Sequence, residues 1–140
     1  METYAGSLSP AAPVADLDSS SFWEGLRRHE VRLQRCDDCG RFRFPPMPTC
    51  PYCAGTSAQT HAILGEGDIY SWIVVHRAFA PEFASQVPYT LVTVSLDEGC
   101  RIVGRLESGE PEFGRRVKAC FHDHSDWTEL RFSVLEGGES

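Results

Sequence analysis

The residues with the most chemistry in this chain are its six cysteines, and four of them are paired: Cys36-Asp-Asp-Cys39 and Cys50-Pro-Tyr-Cys53, with ten residues between the pairs. A C-x2-C turn brings two sulfurs to one side under backbone N–H groups, and two such turns face to face complete a tetrahedron. Four thiolates suit zinc, which accepts soft ligands and brings no redox chemistry of its own. Disulfides and a rubredoxin-like iron site are the competing readings. The paired spacing and a reducing compartment favour a metal over disulfides, and a ten-residue gap wraps a redox iron poorly. With Cys36, Cys39, Cys50 and Cys53 as ligands no position stays open for water or substrate, so the expected role is structural, one Zn2+ per chain. Metal removal is expected to unfold residues 30 to 55 first, because so short a ribbon has little core of its own.

The remaining reactive types carry weaker signals. Cys100 and Cys120 fall in strand-like segments and read as small buried hydrophobes. His122 and His124, with Asp123, Ser125 and Asp126 around them, read as a polar turn rather than a metal site. His76 could serve as a general base, but no nucleophile stands at a recognisable spacing from it. Gly65-Glu-Gly67 is too short to cradle a phosphate. No catalytic residue is therefore expected.

The elements that must position the cysteines have to fit in 140 residues, enough for one small domain plus a metal-stapled module. Hydrophobic residues at 41% and charged residues at 24% are values of a folded chain. A net charge of -7 argues against a grip on nucleic acid or anionic membranes. The charge is unevenly spread: Arg27, Arg28, Arg32, Arg35, Arg41 and Arg43 against Glu30, Asp37 and Asp38 make the ribbon a basic island in an acidic chain. Those arginines either compensate the thiolate centre or meet an anionic ligand or acidic partner surface. Residues 1–18 have too few large apolar groups to order themselves and no basic or apolar block of a targeting signal, so they read as a disordered tail of a cytoplasmic protein. No run approaches the roughly 18 apolar residues that a membrane span needs.

A helix is expected within 19–30. Ser21-Phe22-Trp23-Glu24 has the capping-box pattern, and Phe22, Trp23 and Leu26 make an apolar stripe. Gly25 weakens this helix, which must pack within the chain or on a partner. From Glu30 the period changes to a strand-like alternation, with Val31, Leu33 and Arg35 on one face, leading into a ribbon over 31–58. Strands are expected at His61–Leu64, Asp68–Arg77, Tyr89–Leu96, Arg101–Leu106, Arg116–His122 and Thr128–Leu135, with a hairpin turn at Asp97-Glu98-Gly99. Five or six short strands suggest a closed or partly closed antiparallel barrel over 59–135, with a loose end at 136–140. The connection 78–88 is unusually apolar and aromatic for a loop.

These residues, in this order, resemble a known family. Phe22-Trp23-Glu24, Leu33-Gln34-Arg35-Cys36-Asp-Asp-Cys39-Gly40, Phe44-Pro45-Pro46, Cys50-Pro-Tyr-Cys53, Gly67-Asp-Ile-Tyr70-Ser71, Val74-Val75-His76-Arg77, Pro88-Tyr89 and Leu96-Asp97-Glu98-Gly99 are similar to the zinc-ribbon/OB-fold family of acyl-CoA-associated proteins, formerly domain of unknown function 35. The match spans roughly residues 20 to 135. One departure is Met47, where many members carry a basic residue. The resemblance implies a mainly β protein: an N-terminal helix, a rubredoxin-like zinc ribbon and a five-stranded OB-fold barrel. It also implies a non-catalytic accessory subunit beside a thiolase-like enzyme, a thiolase or lipid-transfer-type aldolase, with acyl-CoA at or near the shared interface. Some relatives pair with, or are fused to, hotdog-fold enoyl-CoA hydratases, which leaves that partner as an alternative. A single-stranded nucleic-acid-binding OB protein is a further alternative, because Tyr70, Trp72, Phe79, Phe83 and Tyr89 could stack on bases. The acidic barrel speaks against it.

Overall fold

The computed structural model describes residues 19–77, 81 and 84–135. The tails read at 1–18 and 136–140, and Phe79 and Phe83 of the 78–88 connection, lie outside those residues.

The chain is mainly β, with one short helix, α1 (Ser20–Arg27). Phe22, Gly25 and Leu26 form its buried stripe, at the i, i+3, i+4 spacing that one helix face requires. The helix starts two residues earlier than the capping box at Ser21 implies. Ser19 is the N-cap without a side-chain cap bond, and its carbonyl accepts from the Trp23 N–H at 3.2 Å. Ser21 is thereby inside the first turn, and Glu24 turns instead to Arg28 at 3.5 Å. Gly25 has a packing reason: a Cβ there would lie 2.8 Å from Cγ and Cδ of Arg32, so glycine lets the next strand come close.

Three strands form the ribbon sheet, β1 (Val31–Cys36), β2 (Phe42–Arg43) and β3 (Ala58–Ile63), in the order β2-β1-β3. β1 pairs antiparallel with β3 from Val31↔Ile63 to Cys36↔Ala58. The strand expected at His61–Leu64 thus belongs beside β1 and not in the barrel. The barrel is closed by five strands, β4 (Glu66–Val75), β5 (Tyr89–Leu96), β6 (Arg101–Ser108), β7 (Arg116–Asp123) and β8 (Thr128–Val134), in the order β4-β5-β6-β8-β7. This is an OB-type barrel, and closure removes the open edges that a small sheet would otherwise expose. The β6–β8 pair is parallel and the others are antiparallel, a departure from the all-antiparallel expectation that the Greek-key return of β8 produces.

Helix, ribbon and barrel share one core. Phe22 and Leu26 of α1 and Val31 and Leu33 of β1 cluster with Ile69, Val92, Val94 and Phe132 of the barrel. β6 and β8 pair only from Arg105↔Arg131 onward. Ahead of that point, between Ile102–Gly104 and Trp127–Leu130, the barrel wall is unpaired, and α1 lies across it with Phe22, Trp23 and Leu26. The helix therefore packs within its own chain. On the other side, β4 and β7 share only three register pairs. Arg116 reinforces that seam with two bonds to Asp97, at 2.8 and 2.9 Å, and contacts to Asp68 at 3.2 Å and Glu66 at 3.4 Å. No helix among the described residues is long and apolar enough to cross a membrane.

Candidate functional site

The two cysteine turns have the same build. In the first, the Gly40 N–H reaches the Cys36 carbonyl at 3.0 Å; in the second, the Ala54 N–H reaches the Cys50 carbonyl at 2.9 Å. Each turn ends on a residue in the left-handed region, Gly40 at φ 77° and Ala54 at φ 66°. Glycine adopts that conformation freely and alanine at a cost. The turns place the sulfurs of Cys36, Cys39, Cys50 and Cys53 within 4.8 Å of one another, with Cys36–Cys53 at 3.6 Å and Cys39–Cys50 at 3.7 Å. A tetrahedral ion with metal–sulfur bonds of about 2.3 Å needs sulfurs about 3.8 Å apart, so the donor set fits a zinc-sized soft cation.

The backbone prepares these sulfurs to be thiolates. The N–H groups of Tyr52 and Gly55 lie 3.4 Å from the sulfurs of Cys50 and Cys53. At Cys36 the N–H groups of Cys39 and Asp38 outweigh burial and lower the thiol pKa. At Cys50 burial pushes the value up, but the N–H groups of Tyr52 and Cys53 bring it to about 6. Cys53 receives the Gly55 N–H, yet bonding to Cys36, burial and the neighbouring sulfurs push it up to about 12. Four sulfurs this close cannot all ionise without a cation between them, which is the electrostatic signature of a metal centre.

A buried arginine supports the loop between the turns. Arg43, 3% exposed, donates from Nε to Gln34 Oε1 at 2.8 Å and from Nη2 to the Met47 carbonyl at 3.0 Å. The same Gln34 oxygen accepts from the Met47 N–H at 3.0 Å. Its Nη1 has no partner among the described residues. Arg43 was legible in the sequence only as one of a basic run, and its burial removes it from any surface that meets an anion. The rest of the island is partly committed too: Arg32 to Glu30 at 2.9 Å, and Arg35 and Arg41 over the rings of Phe42 and Tyr52 at 5.6 and 4.7 Å.

Of the other candidates, His76 is exposed just beyond the end of β4, and the cysteines and His124 are tied into the structure. Cys100 is buried, and burial raises its thiol to about 11; Cys120 is half-buried beside the Ser133 hydroxyl. His124 bonds Glu129 at 2.9 Å and stacks on Trp127. His122 is its ring neighbour at 4.8 Å, and the cysteines form the one metal-capable group found among the described residues. His29, which the sequence did not single out, has φ 61°, stacks on Phe121 and bonds Asp123 at 3.0 Å, tying the end of α1 to β7. Tyr70 and Tyr89 are covered by the guanidinium groups of Arg101 and Arg105, at 3.7 and 4.4 Å. Trp72 rests on Phe113 at 4.7 Å.

A four-cysteine ribbon whose strands share a core with a closed five-strand barrel defines a class, the rubredoxin-like zinc ribbon joined to an OB fold. Two family models match in that order: the ChsH2 rubredoxin-like zinc ribbon domain over residues 23–58 and the ChsH2 C-terminal OB-fold domain over residues 60–122. The chain belongs to this ChsH2/DUF35 family. It is 32% identical over 119 residues to the 3-oxo-4,17-pregnadiene-20-carboxyl-CoA hydratase alpha subunit of Mycobacterium tuberculosis, covering 83% of this chain and 37% of that protein. It is 36% identical over 91 residues to a DUF35 domain-containing scaffold protein of Methanocaldococcus jannaschii, covering 62% of this chain and 64% of the other. Among solved structures, a chain of the Ltp2-ChsH2(DUF35) aldolase superposes with a TM-score of 0.78 at 31% identity, over 88% of this chain and 98% of that one. The chain spans only about a third of the length of the hydratase alpha subunits that it matches.

Proposed function

We propose that the chain is a non-catalytic accessory subunit of a cytoplasmic thiolase-superfamily complex, a thiolase or lipid-transfer-type aldolase, that acts on carbon–carbon bonds of acyl-CoA. It stabilises the enzyme subunit and helps to shape or admit the acyl-CoA at their shared interface, while the enzyme subunit supplies the reacting group. The observation that carries this reading is the near end-to-end match to a chain of the Ltp2-ChsH2(DUF35) aldolase. The use of the polar side chains supports it. His29 is bonded to Asp123, His124 to Glu129, and Asp97 to Arg116, so these acid–base groups are occupied in holding elements together.

Cys36, Cys39, Cys50 and Cys53 would hold one structural zinc. Bound there, the ion supplies a cross-link between the two turns and no open coordination site. The surrounding residues position the ligands: the knuckle N–H groups favour the thiolates, and Arg43 with Gln34 fixes the intervening loop. Neither nucleic acid nor membrane is a partner in this reading.

The test is to purify the chain and its enzyme subunit separately and together. The chain alone should show no thiolase or aldolase turnover, and the enzyme subunit should gain activity or solubility when the chain is added. Turnover by the chain alone would overturn the proposal. A hotdog-fold enoyl-CoA hydratase partner is the second reading, favoured by the hydratase alpha subunits among the relatives. Hydration of an enoyl-CoA by the reconstituted pair, in place of carbon–carbon bond chemistry, would decide for it.

A further inference from the structure

The outer face of β4, β5 and β6 differs from the rest of this acidic chain. Register sets Ile73 opposite Leu91, Leu91 opposite Arg105, and Thr93 opposite Val103. Strand alternation therefore puts Ile73, Leu91, Thr93, Val103 and Arg105 on one side of the sheet. Ile73 is 61% and Val103 56% exposed, so an apolar row faces out where a solvated barrel face would be polar. Its cations are Arg105, which lies over Tyr89 and donates to Gln86, and Arg101, which lies over Tyr70; Glu107, farther along β6, is bonded to Arg131 at 2.7 Å. The nearest carboxylate along β4 is Asp68, which Arg116 holds at 3.2 Å. In a chain of net charge -7, this face is neutral to cationic.

The row runs into a groove of about 250 Å³ where β6 and β8 part, walled by Phe22, Trp23, Phe44, Leu91, Val103 and Trp127. Glu129, at its rim, is already bonded to His124 and Arg131. An aromatic-walled pocket beside an exposed apolar row and arginines has the anatomy of a binding hot spot.

We propose that this face seats the enzyme subunit, through a segment that inserts an aromatic or branched aliphatic side chain into the groove and carries acidic residues on either side. The apolar row takes the anchor and its neighbours, and Arg101 and Arg105 take the carboxylates. Nucleic acid fits poorly, since two guanidinium groups already stacked on tyrosines neutralise few phosphates. The proposal rests on the accessory-subunit reading, and names the surface through which it works.

The experiment uses the tagged full-length chain in complex with its enzyme subunit, probed by hydroxyl-radical footprinting and by titration of Val103→Glu. Val103→Glu alters an exposed side chain, so circular dichroism and zinc content should stay as in the parent, and Lys118→Glu on β7 is the charge control. We expect protection of Ile73, Leu91 and Trp23 in the complex, at least tenfold weaker binding for Val103→Glu, and parental binding for Lys118→Glu. A complex that forms with those side chains still labelled, or that binds Val103→Glu as tightly as the parent, overturns the surface and leaves the accessory role standing. Absence of any enzyme subunit overturns both. Binding of a thymidine 20-mer that Val103→Glu abolishes would make the face a nucleic-acid site and overturn the proposal.

Discussion

Replacing Phe22 by alanine distinguishes a helix that belongs to its own chain from one that waits for a partner. Phe22 is 5% exposed, with ring centroids 5.0 Å from Trp23 and 5.1 Å from Phe44, so it touches helix, ribbon and barrel wall together. Phenylalanine-to-alanine changes in cores cost about 3–5 kcal/mol through lost transfer energy and the cavity left behind. Aromatic pairs add about 0.5–1.5 kcal/mol. Because the side chain borders an open groove, water can enter the vacated space, which places the expected loss near the lower limit, about 3 kcal/mol. For a chain of this length that corresponds to a fall in Tm of roughly 10 °C. The assay is urea and thermal unfolding of the isolated, metal-loaded chain by circular dichroism, with zinc content measured alongside. A loss below about 1 kcal/mol would refute the reasoning, because it would mean that α1 does not close the barrel wall in solution.

Three further outcomes follow from the ribbon and the barrel seam. The shared core narrows the expected unfolding of residues 30 to 55 to the cysteine turns: chelation, or Cys50→Ser, should make the amides of residues 37–56 exchange rapidly while Leu33 stays protected, since Val31 and Leu33 belong to that core and zinc contributes on the order of 10 kcal/mol to such modules; hydrogen exchange reporting simultaneous loss across β1 would contradict this. Ala54→Gly, at φ 66°, should stabilise the metal-loaded chain by about 1 kcal/mol in urea unfolding, because alanine in the left-handed region costs roughly that much. Asp97 is held below the usual carboxylate range by its hydrogen bonds from Arg116, and Glu107 by the single one from Arg131. A lowered folded pKa gives stability that is complete above the unfolded value of about 4 and is lost as pH falls through the folded one. Arg116→Gln should therefore destabilise by at most about 1 kcal/mol at pH 7, with the difference shrinking below pH 4; a difference independent of pH would speak against the salt-bridge seam.

Local features of the fold were legible in the sequence, and those that depend on distant segments were not. The cysteine turns could be read because their geometry is set within four residues. The alternations of Val31 and Leu33, and of Val92, Val94 and Leu96, announced strands because one face of each is buried. β2 is two residues long, too short for any period to show. β3 has an exposed middle on both faces, so nothing in its own residues said that it pairs with β1. The apolar stripe of α1 was plain, but its destination depends on β6 and β8 failing to pair ahead of Arg105, which no local pattern records. Arg43 was hidden for the opposite reason: in a run of arginines, the one whose charge is buried under Gln34 and the Met47 carbonyl looks like its solvated neighbours.

Native mass spectrometry of the tagged full-length chain isolated from its source cell tests the central claim most directly, because partner, metal and stoichiometry appear in one spectrum. The expected species is a hetero-oligomer with a thiolase-like enzyme subunit, carrying one zinc for each copy of this chain. A chain found alone or only with copies of itself, or one without metal, would contradict it.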